Sequence, residues 1–214
     1  MTKPSLAPRQ ARSRESETKL IKAAVDVLGR YGLEGATIPR VAEHAGLTPG
    51  AVYRRFPDKN ALLERCILRI LEDQLKHLER ALTPEIASKS KLAPLVEEIV
   101  RTMLVSYQNN AKLLHALRQF SQASDHRAFK RKAVELEIRA VEHLLDVLMA
   151  YQKHIRHPDP RAALSMALVT LSATLAELFV VDDNLKRLQK LMPTDDESLV
   201  RELTRMFLSY IGAG

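Results

Sequence analysis

The sequence predicts an all-α protein, and three observations predict it. Apolar residues recur at helical spacing from end to end, no run alternates apolar and polar residues as a half-buried strand would, and capping and stop residues fall at helix-length intervals. Composition agrees. With 46% hydrophobic and 28% charged residues among 214, and only 7 Gly and 10 Pro, the chain is not disordered, collagenous or a disulfide-stapled miniprotein. Such a length holds one or two domains and has room for about nine helices of ordinary size.

Residues 1–13 read as a flexible basic arm, because Lys3, Arg9 and Arg12 stand among Pro4, Ser5, Pro8 and Ser13 with no acid between them. A first helix follows over about residues 14–31. Leu20, Ile21, Ala24, Val25, Leu28 and Tyr31 share its stripe, Glu15 and Glu17 lie near its positive end, and Gly32 closes it. Two short helices lie within 37–56, and a longer one runs from about Asp58 to Leu82. Pro84, Ser88, Ser90 and Pro94 mark a loop over 83–94. Leu95, Ile99, Val100, Met103, Leu104 and Tyr107 form the face of the next helix, and Asn110 caps a shorter one carrying Leu113, Leu114, Leu117 and Phe120.

Over residues 125–155, Phe129, Ala133, Leu136, Ala140, Leu144, Val147 and Tyr151 are spaced by threes and fours, which predicts a long amphipathic helix ended by Pro158 and Pro160. The segment 161–181 differs, since from Ala162 to Val181 its one charge is Glu177. It is long enough to span a bilayer, but four hydroxyls and that carboxylate favour a helix buried by its own domain or by a partner. The last helix, 195–211, opens with Thr194 and Glu197 in capping-box spacing, then presents Leu199, Leu203, Met206 and Tyr210.

Charge is unevenly placed. Residues 1–60 hold 11 Lys or Arg against 6 Asp or Glu, while 61–214 hold 22 against 20, so most of the net +7 lies in the first 60. A basic end of this kind suits a polyanion, since each neutralised phosphate releases counterions. Cys66 is the only cysteine, which excludes an intrachain disulfide or a thiolate zinc site and points to the cytoplasm. The amino terminus has no apolar run of the signal-peptide kind.

The run TIPRVAEHAGLTPGAVYRRF, residues 37–56, carries its own punctuation. Thr37 caps one helix, Gly46 ends it, Thr48 caps the next, Pro49 takes the first helical position, and Pro57 with Asp58 closes the pair. Two helices joined by a three-residue turn are a helix-turn-helix, whose second helix enters a major groove. On that helix Val52 and Phe56 share the anchoring face, Gly50, Ala51 and Arg54 point the opposite way, and Tyr53 and Arg55 flank them. Gly50 and Ala51 are small enough to let base edges approach, Arg54 has the fork that fits guanine O6 and N7, and Thr48 and Tyr53 are placed for phosphate.

Residues from about 14 to 65 resemble the amino-terminal domain of the TetR family of bacterial one-component regulators, through YGLEGAT, VAEHAGLTPGAVYRRF and PDKNALL in the family's order and spacing. Pro39 stands where members often carry a polar or basic residue, and Ala51 where Thr or Ser is usual. The resemblance implies phosphate contacts at Thr37, Thr48, Tyr53 and Lys59, with base or phosphate contact near Gly50, Ala51 and Arg54. It implies a DNA-binding domain over 14–60 and a helical effector-binding and dimerisation domain over 61–214. It also implies a homodimer formed through helices 161–181 and 195–211, a roughly palindromic operator, and repression released by a small, largely apolar effector. Met103, Tyr107, His115, Arg118, Phe120 and His143 are the candidate effector contacts, from their places on inward or polar faces.

Two other readings remain open. One is a DNA-binding regulator without an effector, acting through a protein partner. The other is a helical enzyme, for which the sequence offers only His154, His157 and Asp159 near a helix end and the adjacent Glu142 and His143. Neighbouring residues on a helix do not face each other, and the histidine pair lacks a third ligand at a familiar spacing, so no catalytic residue, metal or cofactor is expected.

Overall fold

The computed structural model describes residues 6–87, 89–180 and 195–213. Among these residues there are nine α-helices and no strand. In chain order they are α1 (Leu6–Gly35), α2 (Ile38–His44), α3 (Pro49–Tyr53), α4 (Lys59–Ala81), α5 (Pro84–Ala87), α6 (Leu92–Ala123), α7 (Arg127–Met149), α8 (Pro160–Phe179) and α9 (Asp196–Ile211), with a 3₁₀ turn at Gln152–His154. They form two compact units. The first takes in the described residues up to Glu72 together with His115–Ala133, and the second takes in Asp73–Leu114 and the described residues from Val134 onward.

Helix α1 begins at Leu6, ahead of the expected start at Arg14 and within the segment read as an arm. The reason is local: the added turns are rich in Leu, Ala, Arg and Gln, which are strong helix formers, and Pro8 falls in the first turn, where proline is tolerated. Residues 1–5 lie outside the described residues. The run is broken at Gly32, whose φ of 67° and ψ of −173° only glycine adopts at low cost. Leu20, Ile21, Ala24 and Leu28 are buried as the stripe requires, whereas Tyr31 is exposed and lies under the Arg40 guanidinium, 4.4 Å from the ring centroid. Cys66 is fully buried in the first unit, and burial pushes its thiol up to about 12, so it is an inert core residue.

In the second unit the expected break at Asn110 is absent, and α6 is one helix of 32 residues. No Gly or Pro stands between Leu95 and Ala123 to interrupt it, and the Asn110 amide donates along the helix to Ser106 O at 2.9 Å instead of capping a new one. Within the expected loop at 83–94, Pro84–Ala87 form one helical turn with Thr83 Oγ1 accepting from Ile86 N–H, while Ser88 lies outside the described residues. Helix α7 stops at Met149, short of the expected Ile155.

Helix α8 is capped by Asp159, whose carboxylate accepts from Ala162 N–H at 2.9 Å. Its Ala163, Leu164, Ala167, Leu168, Leu171 and Leu175 are buried in the unit's core, while Met166 and Val169 on the other side are each 54% exposed. By length and composition this helix could cross a membrane, with a mean hydropathy of 1.7. Helix α9 packs beside it through Leu203 and Phe207. Its start is held to α6 by a two-pronged pairing of Arg101 with Glu197 and by Gln108 donating to Asp196 at 2.8 Å. Asp195 rather than Thr194 is the described cap, accepting from Ser198 N–H at 2.8 Å; Thr194, like Val181, lies outside the described residues.

Gly29 and Gly32 offer a controlled comparison, because a Cβ at either would meet nothing within 4 Å. Gly29→Ala, inside the helix, should raise the unfolding free energy by about 0.5–1 kcal/mol. Gly32→Ala should lower it by about 1–3 kcal/mol through backbone strain alone. Urea titration of the two variants checks both signs.

Candidate nucleic-acid interface

The site is built around a five-residue helix, and its position follows from the residues on either side. Helix α2 opens at Thr37, whose Oγ1 accepts from Arg40 N–H at 3.4 Å. It closes through Ala45 and Gly46: Gly46 has φ 65°, Gly46 N–H donates to Glu43 O, and Leu47 N–H donates to Ala42 O at 2.8 Å. Helix α3 then opens at Thr48, whose Oγ1 accepts from Ala51 N–H at 3.3 Å, with Pro49 at the first helical position. Val52 is fully buried and Phe56 is 7% exposed, so the two expected anchors face inward. Asp58 caps α4 by accepting from Ala61 N–H at 2.8 Å.

The opposite side of α3 faces solvent. Thr37, Thr48, Pro49, Gly50, Tyr53 and Arg54 are exposed, and Ala51 and Arg55 are half-buried. A Cβ on Gly50 would meet only Arg54 Nη1, at 4.0 Å, so no packing inside the protein calls for glycine there. Lys59 has an internal partner as well: its Nζ donates to Leu33 O at 2.7 Å, which ties the start of α4 to the end of α1 beyond the break at Gly32. The same ammonium has two further donors. Arg65 braces α4 on α1 by donating from Nε to Glu17 Oε1 at 3.0 Å.

Sequence reasoning missed Arg40. Its Nη1 donates to Gly35 O at 2.6 Å while its guanidinium covers Tyr31, and His44 meets the same ring edge-on at 6.2 Å. This pins the turn that delivers Thr37. Arg40 lies on the first turn of a short helix, and nothing in its immediate neighbours marks the carbonyl it reaches.

The six effector candidates are divided between the two units. Met103, Tyr107 and His143 belong to the second unit, His115, Arg118 and Phe120 to the first. Tyr107 Oη and Ser172 Oγ are 3.0 Å apart, His143 Nε2 lies 2.7 Å from Leu82 O, and Met103 packs against the second core. Phe120 is buried edge-on against Phe129, Arg118 is exposed and His115 half-buried. None of the six lines the groove of about 170 Å³ between α8 and α9, which is formed by Met166, Ala167, Thr170, Leu171, Thr174, Leu203, Met206, Phe207 and Tyr210. At the other cluster weighed, the Asp159 carboxylate is engaged in capping α8 and His157 Nδ1 is within 3.1 Å of Asp159 backbone N–H. Among the described residues no three His, Cys, Asp or Glu side chains are placed to hold a metal ion.

Residues 20–66 match the model of bacterial regulatory proteins of the tetR family, across the whole of this capped pair and its anchors. This segment is a tetR-family regulatory domain. It is 29% identical over 135 residues to the HTH-type transcriptional regulator BetI of Vibrio vulnificus, covering 62% of this chain and 66% of that one. It is 40% identical over 55 residues to BetI 2 of Chromohalobacter salexigens, covering 26% and 27%. The matches span less than two thirds of either curated relative. A TetR transcription regulator from Haloarcula marismortui superposes with a TM-score of 0.69 at 18% identity, over 94% of this chain and 98% of that one. FadR from Bacillus subtilis, in complex with stearoyl-CoA, does so at 0.63 and 15%, over 92% and 98%. At such identities the likeness is one of fold, and it takes in the chain beyond the matched segment.

Two side chains in this segment should prove structural, the exposed Thr48 and the half-buried Lys59. Thr48→Ala is expected to lower stability by about 0.5–2 kcal/mol through the lost cap, and Thr48→Ser to restore most of it. Lys59→Ala should cost about 1–2 kcal/mol through the unpaired Leu33 carbonyl. Arg54→Ala, with no such partner to lose, should leave the urea midpoint unchanged.

Proposed function

We propose that this chain is a sequence-specific DNA-binding transcriptional regulator, a repressor that acts as a homodimer in the bacterial cytoplasm and is released from its operator by a small, largely apolar effector. It is a binding protein, with no catalytic residue, cofactor or metal assigned. The observation that carries the reading is the outer face of α3, where small Gly50 and Ala51 and exposed Arg54 stand over two buried anchors. A glycine that packing does not require, at the start of a capped helix, suits close approach of another surface.

In this reading Gly50, Ala51 and Arg54 meet base edges, Pro49 and Arg55 flank them, and Thr37, Thr48, Tyr53 and Lys59 bind phosphate. Residues 14–60 are the DNA-binding domain and 61–214 the effector and dimerisation domain. Dimerisation through α8 and α9 is supported by the exposed Met166, Val169, Met206 and Tyr210 and by the groove between the two helices. Two copies joined there would make a four-helix interface and an isologous contact, which matches a palindromic operator associated with the nucleoid. For the effector, Tyr107 with Ser172 offers a polar handle beside Met103 and an apolar core, with His143 on the same unit; His115, Arg118 and Phe120 are the further candidates.

Two recognition helices must enter successive major grooves about 34–36 Å apart. An effector that favours another separation therefore weakens DNA binding. Helix α4 runs from the first unit into the second and is the covalent route for such a change.

DNA selected from a random pool supplies the test of reading. Arg54→Ala should lose about 1–3 kcal/mol on the selected site and little on random duplex. Gly50→Ala should weaken the selected complex while leaving the protein as stable or more so. Equal loss on both duplexes for Arg54→Ala would make it a phosphate contact.

Dimerisation and release have their own measurements. Sedimentation should give a dimer at micromolar concentration, and Met166→Glu or Met206→Glu should shift it toward monomer. A ligand found by melting-temperature shift, about 2.7 kcal/mol at 100 times its dissociation constant, should bind about 5–150-fold more weakly when DNA is present. Equal affinities with and without DNA would favour the effector-free regulator with a protein partner.

A further inference from the structure

We propose that the corner between α6 and α7 is a second nucleic-acid contact, binding backbone phosphates that flank the half-site read by α3. The inference rests on the DNA-binding reading and extends it to a part of the chain outside the helix-turn-helix.

The corner belongs to the first unit, together with α1 to α3, and it is firmly attached there. His126 Nδ1 lies 2.7 Å from Glu64 Oε2 on α4, and the Phe120 and Phe129 rings, 7% and 3% exposed, meet edge-on at 5.9 Å. Residues 115–133 carry five Lys or Arg against Asp125 alone. Arg127, Lys130 and Arg131 are exposed on the first turns of α7, and the first turn holds no acid. No ion pair among the described residues takes in any of the three. Cations at the positive end of a helix dipole, beside one another, work against the helix that carries them. The fold gains nothing from this arrangement, whereas an external polyanion does.

Position supports DNA as that polyanion. Lys59 and Glu64 are five residues apart on α4, a rise of about 7.5 Å with the two positions about 140° apart around the helix axis, so the corner pinned at Glu64 flanks the site at Lys59 and does not coincide with it. DNA that continues past the half-site is the polyanion long enough to meet both. An acidic protein segment would meet the same cations, and the experiment separates the two.

Full-length protein and the triple variant Arg127→Gln, Lys130→Gln, Arg131→Gln are titrated across a KCl series. The probes are the selected site as a duplex of about 20 base pairs, and the same site lengthened by about 10 base pairs at each end. Wild type should bind the longer duplex with a salt slope steeper by about two units, at least one extra phosphate per protomer. The triple variant should lose that difference and keep wild-type affinity for the short duplex, which also shows that it folds. Wild type binding both duplexes with one slope, or a variant that keeps the steeper slope, overturns the proposal; a variant that instead loses only an acidic protein partner does the same. Failure of the underlying reading looks different, because wild type would then bind neither duplex.

Discussion

A helix of five residues does not persist in water on its own hydrogen bonds, since nucleation fixes several residues for each bond gained. The rest of the first unit answers that constraint on α3. Thr48 satisfies a terminal N–H, Pro49 presets the first φ without wasting a donor, and Val52 and Phe56 bury the inner side. The turn before it is closed by Gly46, and the turn before α2 is held by Arg40 across Gly35 and Tyr31. Lys59 fastens the far side by reaching back to Leu33 O. Because stability comes from the inner side and the ends, the outer side is left with residues chosen on other grounds, and Gly50 is the clearest of them.

How far this was legible in the sequence depended on the range of the interactions. Thr37, Gly46, Thr48, Pro49 and Asp58 act within three or four residues of themselves, so their roles could be read along the chain and hold in the structure. Asn110 shows the limit of the same rule. Asn is compatible both with a cap and with an exposed helical position, and the choice was set by an uninterrupted helix former run on both sides. Lys59 to Leu33 and His143 to Leu82 join residues 26 and 61 apart, which no local pattern announces. No local pattern assigns the effector candidates to one unit or the other either. Their helical faces were read correctly as inward for Met103, Tyr107 and Phe120, but α6 passes through both units, so residues on one helix serve two different cores.

Helix α8 is apolar on more sides than its own core covers. Its buried stripe of Ala163, Leu164, Ala167, Leu168, Leu171 and Leu175 includes alanines that allow close approach of α9. On its other side Met166 and Val169 leave large apolar surface in water, and Met206 and Tyr210 of α9 add to the same groove. Burying such surface is worth about 25 cal/mol per Å². A self-complementary partner face gathers that gain symmetrically, which is why the proposed homodimer accounts for the composition of α8 better than solvent exposure alone.

Charge placement points the same way as helix geometry. In the second unit several arginines face carboxylates: Arg101 pairs with Glu197, Arg139 with Glu79 and Arg161 with Asp146. Exposed pairs of this kind add little stability, so their consequence is chiefly electrostatic, in that each cancels its own field at a distance. Beyond residue 60, once 115–133 are set aside, acids outnumber bases. The excess of positive charge therefore lies in the first unit, to which α3 and the α6–α7 corner belong. In the proposed reading the first unit meets the polyanion, and the second, with α8 and α9, carries no excess of cations to oppose the approach of a second copy.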